Sequence, residues 1–266
     1  MSIRLTFSLL ALLGTVFLSA QTTFQPRTAD GGSRGYVFNT ETAFNFKLHT
    51  NGWWAVGMDF GKLRTYNKTR FWGFEIGELR HPKETSLNFE YPTTTNGNPS
   101  RPFRFGKQNN LYVLRLSFGE KKYLSEKARL KGVAVGYSYA FGPTLGLLKP
   151  YYLELFPVDA GSGQITRSVR YDERSADRFL DPRNIYGSSG FAKGLGEVSP
   201  RPGGSFRVAA HFDWGAFDEY IKAVEVGIMG DIFLTQMPIM VDVPGTENRP
   251  YFLNFFVAAQ LGKRKL

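Results

Sequence analysis

The sequence predicts an all-β protein, an eight-stranded antiparallel transmembrane β-barrel with one long extracellular loop. Three observations predict it. Apolar residues alternate with polar or small ones along almost the whole chain, which is the period of a strand. The 266 residues include 24 Phe, 13 Tyr and 4 Trp, yet mean hydropathy is −0.26, and alternation reconciles the two. The polar face of each run is rich in Gly and Ala, which fits a narrow lumen and makes a poor water-facing surface. A soluble sandwich with the large residues inward is the competing architecture. Trp53, Trp54, Trp72, Tyr123, Trp214 and Tyr251 sit at strand ends, where the interfacial girdles of a barrel would lie.

The elements follow in order. Residues 1–20 read as a secretory signal peptide: Arg4 gives the positive start, Phe7 to Phe17 the apolar stretch, and Ser19-Ala20 the small residues before a cut. The apolar run is too short for a comfortable helical span. Residues 21–33 form a short periplasmic segment, and 34–266 form the barrel. The first strand alternates Phe44, Phe46 and Leu48 with Asn45, Lys47 and His49. The second alternates Val56, Met58 and Phe60 with Gly57, Asp59 and Gly61. The third sets Trp72, Phe74 and Ile76 against Gly73, Glu75 and Gly77. The fourth sets Leu114, Leu116 and Phe118 against Arg115 and Ser117. The fifth sets Val135, Tyr137, Tyr139 and Phe141 against Gly136, Ser138 and Ala140. The last three carry Phe206 to Trp214, Val224 to Ile232, and Tyr251 to Leu261.

Loop lengths fix the count, because outer-membrane barrels have short periplasmic turns and longer outer loops. Tyr66–Thr69, Ser125–Ala128 and Gly215–Glu219 are short. Pro92–Lys107, Pro157–Gly204 and Thr235–Pro250 are long. Gly142-Pro143 resembles a turn, but the alternation runs through it to Leu153. One long strand with a bulge near the prolines is therefore expected. The result is eight strands with both termini periplasmic.

The inward face carries a polar network of Lys47, Asp59, Glu75, Arg115, Arg207, His211, Asp213 and Glu225, with His49 among them. An eight-stranded barrel has room only for side chains, so these charges should pair and lock the lumen. A proton path or narrow channel is the sharper alternative, and the near balance of signs disfavours it. The formal net charge of +10 concentrates on a periplasmic basic rim of Lys62, Arg64, Lys68, Arg70, Lys121, Lys122, Lys127, Arg129, Lys263, Arg264 and Lys265. Such a rim would attract anionic inner-leaflet lipid, or dock an acidic periplasmic partner. Nucleic acid is excluded by the expected location.

With no Cys and three His, thiolate sites, disulfides and His-rich metal centres are excluded, and no cofactor is expected. A lipid-modifying enzyme would need a nucleophile and base. His81 and Ser86 are the candidates near the outer rim, and a loop histidine is the simpler account. Asp172, Glu173, Asp177 and Asp181 could attract Ca²⁺, but interleaved Arg residues argue for loop salt bridges.

Several segments resemble a small outer-membrane barrel family of Bacteroidota without settled activity: Leu145–Leu155 (LGLLKPYYLEL), Asn184-Ile185-Tyr186-Gly187, Phe191–Glu197 (FAKGLGE), Ile221–Gly227 (IKAVEVG), Met237–Met240 (MPIM) and Tyr251–Lys265. The resemblance implies an eight-stranded barrel in the cell outer membrane, a non-enzymatic accessory subunit of a protein assembly or secretion machine. Its expected partners are outer-membrane lipid and other outer-membrane or periplasmic proteins. A narrow porin and a lipid-modifying enzyme are the alternatives. The chain departs from the common outer-membrane pattern by ending in Leu266 rather than an aromatic residue.

Overall fold

The computed structural model describes residues 38–65, 67–89, 100–125, 132–156, 166–216, 218–243 and 245–266. The expected signal peptide and N-terminal segment lie outside them. Eight antiparallel strands close a barrel: β1 (Thr40–His49), β2 (Ala55–Thr65), β3 (Lys68–Leu79), β6 (Asn109–Tyr123), β7 (Ala134–Pro150), β11 (Ser199–Asp213), β12 (Tyr220–Phe233) and β13 (Tyr251–Lys265). Each pairs with the next in the chain, and β1 closes on β13, with Thr40 opposite Lys265 and His49 opposite Phe256. No helix among the described residues is long and apolar enough to cross a membrane.

Alternation drives closure. On β1 every odd residue from Glu41 to His49 is buried and every even one exposed. The same rhythm runs through β3, β7 and β13. Large apolar side chains therefore cover the outside: Phe46, Phe74, Phe118, Phe206 and Phe255 are all exposed, and Phe141 is 64% exposed. On β13 this apolar stripe runs from Tyr251 to Leu261. Ten residue steps span about 33 Å along a strand, or about 25 Å of height at a tilt of roughly 40°. An outward apolar band of a membrane barrel has about that height.

Two sequence expectations need correction. No bulge forms at Gly142-Pro143: β7 keeps one register from Ala134 to Leu148 against β11, and the same register against β6 on either side of Pro143. Pro143 faces out and simply omits its own donor. The strand also stops at Pro150 rather than running on to Phe156. The next segment, β8 (Tyr152–Leu155), leaves the barrel and joins β9 (Arg167–Arg170) and β10 (Ile185–Ser188) in a separate three-stranded sheet. The long connection keeps its expected length but shifts toward the N-terminus, to residues 151–198 in place of Pro157–Gly204, since β11 already begins at Ser199. There Pro200 and Pro202 pair only with β7, and β12 joins from Gly203 onward. An edge free on one side tolerates residues without a donor.

Both termini of the β1–β13 pair lie at one end of the barrel, the terminal end, with the short turns. The long connections lie at the opposite, loop end. There β4 (Ser86–Leu87) and β5 (Phe103–Arg104) form a small hairpin, and the three-stranded sheet packs a second core of Phe103, Leu153, Leu155, Phe179, Ile185 and Val241.

Candidate functional site

The lumen holds the densest polar chemistry in the chain. Small residues make room for it. A Cβ on Gly73 would meet Asp59 Oδ1 at 2.0 Å, and one on Gly61 would meet Glu41 Cγ at 2.5 Å. Inward glycines on one strand thus seat the charged side chains of another.

Five cations meet six carboxylates in an axial column. At the centre, Arg115 grips Asp231 with two bonds of 2.7 Å and donates to Glu75 Oε1 at 2.6 Å. Lys47 pairs with the other oxygen of Glu75, and Arg207 Nη2 donates to Asp59 at 2.9 Å. His211 Nδ1 lies 3.2 Å from Glu225. Nearer the terminal end, Lys121 pairs with Glu41 at 3.2 Å, and Arg264 reaches Asp213 at 2.7 Å and Glu41 at 3.4 Å. Tyr123 donates to Asp213 at 2.8 Å. Every one of these charged side chains is largely buried, which is sustainable only because each is paired.

All eight residues expected in the network, Lys47, Asp59, Glu75, Arg115, Arg207, His211, Asp213 and Glu225, take part in it. Sequence reasoning missed Glu41 and Asp231 and expected Tyr123 in an interfacial girdle; all three fall on inward positions of their strands, and Tyr123 is 8% exposed. It also misplaced Lys121 and Arg264. Both were expected on the basic rim, and both point inward, 4% exposed. Their strands run further toward the terminal end than turn signals implied, so the inward parity of Arg115 and of Gln260 extends to them.

The remaining described rim residues, Lys62, Arg64, Lys68, Arg70, Lys122, Lys263 and Lys265, stand on outward positions at the terminal end. Lys62 lies opposite Arg70, and Lys68 opposite Lys122. Like charges facing across strands repel. Glu120 relieves part of this by pairing with Lys68 at 2.8 Å and Arg70 at 3.4 Å. Lys127 and Arg129 lie outside the described residues.

Both ends of the column are stoppered. At the terminal end Arg264 Nη1 donates to the carbonyls of Gly215 at 2.6 Å and Asp218 at 3.1 Å, drawing that turn under the barrel, with Ala216 buried against Tyr123 and Ala134. At the loop end the stopper is apolar. Met237, Ile239 and Met240 from the β12–β13 connection enter the mouth and pack on Leu79, Leu111, Val113, Leu148, Phe233 and Phe252. Asn248 holds this segment: its oxygen accepts from the N–H of Ile239 and Met240, and its amide donates to Met240 O and Asp242. The unalternating run Met237 to Val241 was the available signal, since an apolar cluster in an outer loop needs something to bury it.

Outside the mouth, Lys107 is fully buried and pairs with Glu84 at 2.8 Å. Burial pulls its pKa down from 10.5 to about 8, and Glu84 opposes that pull. His81 uses both ring nitrogens on backbone: Nε2 lies 3.2 Å from Glu247 O, and Nδ1 accepts from Lys83 N. In the acidic cluster, Asp172 caps Arg174 N, and Asp181 accepts from Arg183 and Asn184. Among the described residues, no group of three His, Asp or Glu side chains could hold a metal ion. No protein-family model matches the chain, and no curated protein matches it either.

Proposed function

We propose that this chain is an integral barrel of the cell outer membrane that conducts nothing and serves as a non-enzymatic, structural subunit of an outer-membrane protein assembly or secretion machinery. The observation that carries the reading is the closed lumen: an ion-paired column with a polar stopper at one end and an apolar one at the other. A transport path needs sites that a solute can enter and leave, and this column offers its charges only to one another. The apolar exterior supports the membrane setting. The outward collar of Lys and Arg at the terminal end supports contact with anionic inner-leaflet lipid, each cation adding roughly 1 kcal/mol near a charged surface. The accessory role rests on the resemblance of the C-terminal segments.

Two measurements test it together. Purified protein in planar bilayers should give no conductance steps, and steady openings would replace this reading with a narrow porin. Crosslinking in intact envelopes followed by mild detergent extraction should recover a discrete larger complex. Recovery of the barrel alone sinks the accessory-subunit role.

A further inference from the structure

On the outside of the barrel at the loop end, a recess of about 330 Å³ lies between the strand rims and the loops, lined by polar groups from Glu78 to Lys193. Its floor is built from outward positions of three adjacent strands: Glu78 on β3, Asn110 and Tyr112 on β6, and Lys149 on β7. Loop residues 188–193 form its wall. That volume is at the small end of ligand sites, about 300–1,000 Å³.

Two polar groups in this recess lack a partner, and the first is a cation, whereas every lumen cation is paired. Lys149 is only 4% exposed, yet no carboxylate among the described residues lies within salt-bridge distance of its ammonium. Its ammonium lies over the face of Phe191, 4.8 Å from the ring centroid. Ser189 is 9% exposed, and its Oγ is buried without a hydrogen-bond partner. A buried unpaired ammonium and a buried unpaired hydroxyl each cost free energy unless a ligand meets them. Lys193 lines the same recess, and so does Arg104, which is already held by Glu84 at 2.6 Å. Its single carboxylate, Glu78, is already engaged by Arg80 at 2.8 Å. The unmet demand is therefore for an anion with several acceptor oxygens.

We propose that this recess binds a phosphate monoester, with Lys149 and Lys193 meeting its charge and Ser189 donating to one of its oxygens. The position fits a headgroup. Ile76, Leu114 and Leu147, the next outward residues down the same strands, belong to the apolar band or its edge. Each is two residues, about 6.6 Å, from the recess floor. The loop above carries Phe191 and Leu195, which are 66% and 50% exposed and suit contact with acyl chains.

The test uses the full-length mature protein in a phosphate-free detergent. Isothermal titration with glycerol 3-phosphate asks for the anion chemistry alone. Phosphatidylcholine nanodiscs with and without phosphatidic acid ask for the lipid source, read as protection of Ser188–Lys193 amides from exchange. Lys149→Met should weaken phosphate-ester binding at least about tenfold, the cost of about 1.4 kcal/mol. Lys149→Arg should retain most of it, and Ser189→Ala should weaken it severalfold. Binding of phosphatidic acid but not glycerol 3-phosphate assigns a lipid headgroup; equal binding assigns a soluble ester. Wild type that binds neither, or that titrates like Lys149→Met, overturns the inference. If Lys149→Met does not fold, the Ser189→Ala and Lys149→Arg pair carries the comparison. Protein that binds the soluble ester but fails to insert into bilayers leaves this inference standing and removes the membrane reading instead.

Discussion

The two ends of the lumen are closed by opposite chemistry. At the terminal end Arg264 gathers Asp213, Glu41 and two turn carbonyls, so the stopper is a hub of charge. At the loop end Met237, Ile239 and Met240 fill the mouth with apolar volume, and polar groups serve only to hold the segment in place. Between them runs the ion-paired column. The difference matters because the two kinds of closure fail differently. Removing one member of a charged hub leaves its partners buried and unpaired, which costs more than the pair itself was worth. Removing an apolar side chain leaves a void that flexible neighbours partly refill.

The largest effect should come from Arg115→Met. It strands Asp231, which is fully buried, and removes one of the two strong partners of Glu75. A loss of about 3–5 kcal/mol is expected, measured as the shift in the urea midpoint for unfolding from lipid vesicles. Adding Asp231→Asn should recover much of it, because Lys47 still holds Glu75. A single-variant change under about 0.5 kcal/mol, the range of an ordinary surface substitution, would mean that water reaches the column. The claim of a closed lumen would then fail with it.

Ile239→Ala is the matching perturbation at the other end. Ile239 is fully buried, and its carbonyl accepts from the N–H of Gln108 and Asn109. A cost of about 2–3 kcal/mol is expected, the low part of the range for such truncations, because Met237 and Met240 can slump into the space. The sharper readout is spatial. Amide exchange should rise at Gln108, Asn109 and Val241 and stay unchanged along the His211 strand. A uniform rise would show that the two stoppers are one cooperative unit rather than two.

Much of the barrel was legible in the sequence, and the reason is the period itself. A one-residue slip would turn Phe44, Phe46 and Leu48 inward and Lys47 outward, so each strand reports its own two faces. That rule also located eight of the charged lumen residues. It failed for Lys121 and Arg264, where nearby turn residues suggest an end to strands that in fact run on. The cap beyond the mouth was far less legible. Its strands are two to four residues long, too short for alternation to declare a face. Its core joins Phe103 to Leu155 and Val241 across distant stretches of chain. Leu153 continues the outward rhythm of β7 in sequence, yet it turns into that second core because the chain leaves the barrel at Tyr151.

The smallest effect separates the polar closure of the lumen from the polar contacts of the cap. Lys107 sits outside the mouth, enclosed by the hairpin and Tyr151, whose ring face lies 5.8 Å from its ammonium. Its folded pKa, about 8, lies below the 10.5 of an ordinary lysine because burial disfavours the charged form. The sign follows from proton counting. Between pH 8 and 10.5 the unfolded chain holds a proton that the folded cap has released, so the cap gains stability as pH rises through that window. Below pH 8 both states are charged and the cost of burying the ammonium is felt in full. Glu84 keeps a partner on either side of the transition, since Arg104 reaches it at 2.6 Å. Selective ¹⁵N-lysine NMR of the protein in micelles should therefore find one ammonium titrating near pH 8, lost in Lys107→Met. A midpoint near 10.5 for Lys107 itself would mean that the cap opens to water, and that the apolar stopper alone guards the loop end.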